Sequence, residues 1–182
     1  MKRPDKRQTI LINLILFLVV TGGYFAVRHF SPRHELKTAP SFELPLVEPG
    51  NDTNPMASLG TRISLKELQG RLTLINFWAS WCEACAQEAP ILENLWKKYG
   101  NGQRIYLLGI STFDKWSDLS ASPKLATKSF PILFDDKGRI ALKYGVTVLP
   151  ATILLNSQGR ILATFQGILN EERLRVIEAQ IP

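Results

Sequence analysis

Arg71-Leu72-Thr73-Leu74-Ile75-Asn76-Phe77-Trp78-Ala79-Ser80-Trp81-Cys82-Glu83-Ala84-Cys85 carries the only two cysteines of a 182-residue chain, and its reading decides the rest. Residues 71–78 are mostly apolar and β-favouring, the pattern of a strand buried on both faces. Residues 83–99 take helical spacing, with Ala89, Leu92, Leu95 and Trp96 able to share one face. Pro90 falls inside that helix and predicts a kink, and Gly100-Asn101-Gly102 predicts its end. Ile105-Tyr106-Leu107-Leu108-Gly109-Ile110 reads as a second buried strand. The stretch therefore predicts a β-α-β unit whose crossover helix begins at the cysteines.

A C-x-x-C pair at such a junction is the layout of a dithiol–disulfide exchange site. Exchange needs a thiolate, and the free N–H groups and positive dipole end of a helix N-terminus favour one. Cys82 stands at that point, and Cys85 lies almost one turn on, near enough to close a disulfide. Cys82 is expected to attack and Cys85 to resolve the mixed disulfide. The Glu83 carboxylate beside Cys82 opposes the thiolate, withholding the stabilised reduced form that makes a strong oxidant, which favours a reductant; the helix terminus pulls the other way, and a Glu83 turned to solvent would count for little. Glu88 lies three residues after Cys85, on the same helical face. If partly buried it would have a raised pKa and could take the Cys85 proton; if exposed it would be an ordinary helix charge.

Leu149-Pro150 precedes an apolar hairpin. A cis bond there would expose strand-edge backbone beside the thiols, and a trans bond would make a turn. Trp81 is expected on the substrate surface and Trp96 in the core; Trp78 fits either place, and Trp116 is unassigned. Two further readings of the cysteines stay open. A structural disulfide is common in exported proteins, although so short a loop constrains little. Two soft ligands could also hold Cu(I). A four-ligand zinc site is not available, because the two histidines, His29 and His34, lie far upstream. No cofactor and no resident metal is expected.

The remaining elements follow from local pattern. Residues 31–60 are broken by Pro32, Pro40, Pro45, Pro49 and Pro55 and read as a linker running into an extended Ser41-Phe42-Glu43-Leu44. Residues 63–68 read as a short strand or helical turn stopped by Gly70, residues 111–129 as short helical pieces, and Ile132-Leu133-Phe134 as a short apolar run. Asp135-Asp136-Lys137-Gly138 reads as a turn, and residues 140–144 as one turn of helix. Residues 151–155 and 160–165 predict a hairpin, and Asn170 caps a last helix with Glu171 and Glu172 in its first turn and Leu174 and Ile177 inward.

The formal charge of +6 is carried by the N-terminus, since from Ala39 onward 15 Lys and Arg face 14 Asp and Glu. A nucleic-acid partner loses its support. Residues 1–9 include Lys2, Arg3, Lys6 and Arg7, and residues 10–27 have only Asn13 and Thr21 as clearly polar interruptions. Eighteen helical residues rise about 27 Å, a bilayer's hydrocarbon thickness. The charge placement predicts a single-pass span with a cytoplasmic N-terminus, a linker at 28–38 and an extracytoplasmic domain at 39–182. A cleaved signal peptide with residues 10–20 as its apolar core is the alternative, but no clean A-x-A pattern follows.

Residues 77–85, followed by Glu88 and Pro90, resemble the active site of TlpA/ResA-like thioredoxin-fold proteins, membrane-anchored thiol–disulfide oxidoreductases of bacteria. The likeness runs through Ala39-Pro40-Ser41-Phe42-Glu43-Leu44, Phe130-Pro131-Ile132-Leu133 and Tyr144-Gly145-Val146 to Pro150. It implies an α/β domain, a central mixed sheet flanked by helices, behind an N-terminal transmembrane helix. It also implies that Pro150 is a cis-proline facing the disulfide, that Leu149 and Trp81 border the substrate, and that Glu88 is the family's active-site carboxylate. Residues 111–129 would contain a segment that plain thioredoxins lack. Asn76 stands where thioredoxins carry a buried acid, which shifts proton handling toward Glu88. Ala84 replaces the more usual proline between the cysteines, and Ala151 the Thr that commonly follows the cis-proline; either change can alter the redox potential. The implied task is reduction of protein disulfides outside the cytoplasm, with apocytochrome c as substrate class and a membrane-embedded thiol carrier as electron donor. An oxidase or isomerase of exported proteins, or a copper-handling redox or binding protein, is the alternative.

Overall fold

The structure, a computed structural model, describes residues 16–18, 21, 37–48, 61–100 and 104–182. The expected span at 10–27 lies almost wholly outside them; residues 16–18 and 21 are helical, and Thr21 Oγ1 donates to the Phe17 carbonyl at 2.6 Å. Among the described residues no helix is long and apolar enough to cross a membrane.

Seven strands make one mixed sheet in the order β2-β1-β5-β4-β3-β6-β7. They are β1 (Glu43–Glu48), β2 (Arg62–Ser64), β3 (Leu72–Trp78), β4 (Ile105–Thr112), β5 (Ile132–Asp135), β6 (Ala151–Leu155) and β7 (Ile161–Gln166). β3 runs parallel to β4 and β4 to β5; every other pairing is antiparallel. The helices are α1 (Glu83–Leu95), α2 (Trp116–Ser120), α3 (Pro123–Ala126), α4 (Arg139–Lys143) and α5 (Glu171–Glu178). The mixed sheet flanked by helices and the β3-α1-β4 unit stand as the sequence predicts.

All seven residues of β3 are buried, as its place between β4 and β6 requires. Strand alternation divides them. Leu72, Leu74 and Trp78 pack with Leu92, Leu95 and Trp96 on the α1 side, while Ile75 and Phe77 pack with Leu108, Ile110 and Tyr144 on the other. Asn76 falls on the α1 side by the same period and is the one amide in that row. Each Leu, Ile or Phe so buried contributes about 1.5–3 kcal/mol before the entropy of ordering it is subtracted.

The helical run covers the expected residues 83–99 and reaches Gly100, but not as one α-helix. It runs through Pro90 to Leu95 and then opens into a π-helical turn, Trp96–Gly100. The Trp96 ring packs on Gly100 within that turn, where a Cβ would stand 2.0 Å from it. β4 runs two residues past the expected Ile110, because the Thr112 hydroxyl finds the buried Asp135 carboxylate at 3.1 Å. Asp135 also accepts from the N–H groups of Ile140 and Ala141, so what reads as a turn residue anchors the start of α4. Asn170 caps α5 as expected, accepting from the Arg173 N–H at 3.0 Å.

Candidate active site

Cys82 is the N-cap of α1 and is joined to Cys85 by a disulfide, with Cα atoms 5.3 Å apart. The Cys85 N–H donates to Cys82 Sγ at 3.1 Å, so the sulfur expected to carry negative charge faces a free helix N–H. Both cysteines are only 5% exposed, while Trp81 beside them is 63% exposed. The Trp81 indole N–H donates to the Phe113 carbonyl at 3.1 Å, which fixes the ring at the edge of the pair.

The loop before Cys82 is tied down by a residue the sequence does not mark. Asp114 is buried and accepts from the Ser80 N–H at 2.7 Å, the Ser80 hydroxyl at 2.6 Å and the Ser111 hydroxyl at 2.8 Å. Ser80 and Asp114 lie 34 residues apart, and only the parallel pairing of β3 with β4 brings them together.

Glu88 is wholly buried on the inner face of α1. One oxygen accepts from Asn76 Nδ2 at 2.7 Å and the other from the Leu169 N–H at 2.9 Å. Burial pushes its pKa above the ordinary carboxylate value, and these two donors hold the rise back. Asn76 donates as well to Thr152 Oγ1 at 3.1 Å, its register partner on β6. The exposed reading of Glu88 is thereby corrected: the face that carries Cys85 packs onto β3.

The Leu149–Pro150 bond is cis. Register pairs Phe77 with Ala151, so Pro150 sits at the same end of the sheet as residues 79–82. Leu149 is half-buried and touches the core on both faces of the sheet. Trp78 and Trp96 are both core, and Trp116 is exposed with its ring edge-on to Phe134. A cavity of about 150 Å³ opens on Cys85, lined by Trp78, Ala86, Ala89, Lys124, Thr127 and Lys128. A larger cleft of about 510 Å³, lined in part by Arg71 and Arg104, lies at the opposite end of β3 from the chemistry. Among the described residues no group of three or more His, Cys, Asp or Glu side chains is placed to hold a metal.

The chain can be set beside known proteins. The AhpC/TSA family matches residues 36–164. The thiol-disulfide oxidoreductase ResA of Bacillus cereus is 28% identical over 93% of this chain and 94% of its own length. The thiol:disulfide interchange protein DsbE of Xylella fastidiosa is 30% identical over 76% of this chain and 64% of its own. The solved structure of a thiol-disulfide oxidoreductase from Bacteroides fragilis superposes with a TM-score of 0.61 at 29% identity, over 80% of this chain and 100% of that one.

Proposed function

The chain belongs to the AhpC/TSA family as a thioredoxin-like thiol–disulfide oxidoreductase, and from that premise we propose that it reduces protein disulfides outside the cytoplasmic membrane. The Cys82 thiolate attacks one sulfur of the substrate disulfide, forming a mixed disulfide and releasing the first substrate thiolate. Glu88 takes the proton of Cys85. The Cys85 thiolate then attacks Cys82 Sγ, the second substrate thiolate leaves and is protonated, and Cys82–Cys85 closes. Two electrons have passed to the substrate, and a membrane-embedded thiol carrier returns the pair to its reduced state. Trp81, Leu149 and Pro150 border the substrate segment, and residues 10–27 anchor the chain in the membrane with the N-terminus in the cytoplasm.

The observation that carries this reading is the wholly buried Glu88, one helical turn from Cys85 and held by Asn76 and the Leu169 N–H. A buried carboxylate with a raised pKa accepts a thiol proton more readily than an exposed one. The substrate class is an apocytochrome c, whose haem attachment sequence is C-x-x-C-H. The test is a trap with reduced full-length Cys85→Ser and an oxidised C-x-x-C-H peptide. A mixed disulfide through Cys82 is expected to accumulate, faster than with a scrambled peptide disulfide. Equal trapping of both peptides would sink the substrate class, and no adduct would sink the reductant reading.

A further inference from the structure

The segment between β4 and β5 brings two lysines to the buried cysteine, and the exchange chemistry above gives them no task. Lys124 and Lys128 both line the cavity that opens on Cys85. Lys124 is engaged: its ammonium donates to the Cys82 carbonyl at 3.5 Å and lies 3.9 Å from the Glu83 carboxylate. Lys128 forms no ion pair among the described residues. Its ammonium lies instead over the rings of Trp78 at 5.1 Å and Phe130 at 5.3 Å. Ring faces hold a cation without neutralising it. Burial lowers the Lys128 pKa, and the charges of Glu93 and Glu88 oppose that.

The charges around Cys85 come from several elements. Glu88 lies on the inner face of α1, with Arg173 of α5 acting on it, and Glu93 sits further along α1 with its carboxylate on the Ser129 N–H. Glu83 is taken by Lys124, and Asp114 by Ser80 and Ser111. Lys128 is the half-buried cation left to share a cavity with the cysteine.

The geometry points to Lys128 as a positioning residue for exchange, its ammonium the counter-charge of the Cys85 thiolate that forms whenever the disulfide opens. In re-reduction a donor thiolate attacks Cys82 Sγ, the S–S bond breaks, and its electron pair stays on Cys85 Sγ. That charge faces the cavity wall that Lys128 supplies, until the sulfur is protonated. A cation on that wall favours the thiolate over the thiol. The inference rests on the exchange activity and not on the direction of electron flow.

The test follows Cys85 alone, in the full-length Cys82→Ser chain, through the pH dependence of its alkylation by iodoacetamide. No substrate enters, so the outcome is separate from the fate of the reductant reading. Lys128→Met keeps the apolar contact with both rings and removes the charge; the midpoint is expected to rise by about one pH unit. Lys128→Arg is expected to keep the parent midpoint, and Lys124→Met to move it less than Lys128→Met. An unchanged midpoint in Lys128→Met, or an Arg variant that shifts as far as Met, overturns the assignment. Should the Met variant fail to fold, Lys128→Gln carries the same two outcomes.

Discussion

Two buried carboxylates flank the disulfide, and they are satisfied in different ways. Asp114 receives three hydrogen bonds, all at 2.8 Å or less, two from Ser80 and one from Ser111. Glu88 receives two, from Asn76 on β3 and from the Leu169 N–H ahead of α5, and burial outweighs them so that its pKa is raised. The same chemical group thus has two uses beside one cysteine pair. At Asp114 three short bonds converge on one loop and set the geometry of the chain entering Cys82. At Glu88 fewer donors and complete burial leave a group that holds a proton more readily than an exposed carboxylate would.

The largest expected effect belongs to the geometric carboxylate. Asp114→Ala leaves the Ser80 N–H and two hydroxyls without their acceptor and should cost about 3–4 kcal/mol of stability in urea unfolding. A smaller loss than that of Glu88→Gln would reverse the comparison. Glu88→Gln should cost about 1 kcal/mol, because an amide can accept from only one of the two donors.

The pH dependence of that cost has a definite sign. A carboxylate whose folded pKa is raised above 4.5 adds stability below that value, and the addition is lost as pH rises through the folded pKa. The advantage of wild type over Glu88→Gln should therefore shrink with rising pH in paired urea titrations; a constant gap would mean that Glu88 holds no extra proton.

Gly138→Ala tests the loop from its far side. Gly138 has φ +67, and a Cβ there would stand 2.1 Å from the Phe113 ring. A left-handed alanine costs about 1–2 kcal/mol. Because the Phe113 carbonyl holds Trp81, exchange with a protein disulfide should also slow, while exchange with a small disulfide does not. The smallest effect is expected of Glu83→Gln, whose ion pair to Lys124 spans 3.9 Å with the Glu83 side chain 81% exposed. Its unfolding midpoint should not move measurably.

The elements that place the cysteines were legible because their signals are local. The apolar run of β3, the helical period after Cys82 and the second apolar run of β4 each declare themselves within a dozen residues. What escaped depends on partners far along the chain. Glu88 could be read as buried or exposed from spacing alone, because one of its donors, Leu169, lies 81 residues away. Asp114 falls in the 111–129 segment, read only as short helical pieces, and its hold on Ser80 exists only once β3 and β4 lie side by side. Lys128 carries no signal in the sequence at all; its place over the Trp78 ring exists only in the folded chain. The change from α-helix to π-helical turn at Trp96 is likewise nothing that a helical period of apolar residues encodes. In the 111–129 segment the Ser122-Pro123 pair went unread as a helix start, although the Ser122 hydroxyl accepts from the Lys124 N–H at 3.3 Å.

The proposed direction of electron flow is a statement about the reduction potential of the Cys82–Cys85 pair. Equilibrating the full-length chain with thiol–disulfide buffers of known potential, and reading the fraction of Cys82–Cys85 disulfide by alkylation, measures it directly. The expected value lies near thioredoxin's, about −270 mV; a value near about −120 mV, that of a strong periplasmic oxidant, would contradict the assignment.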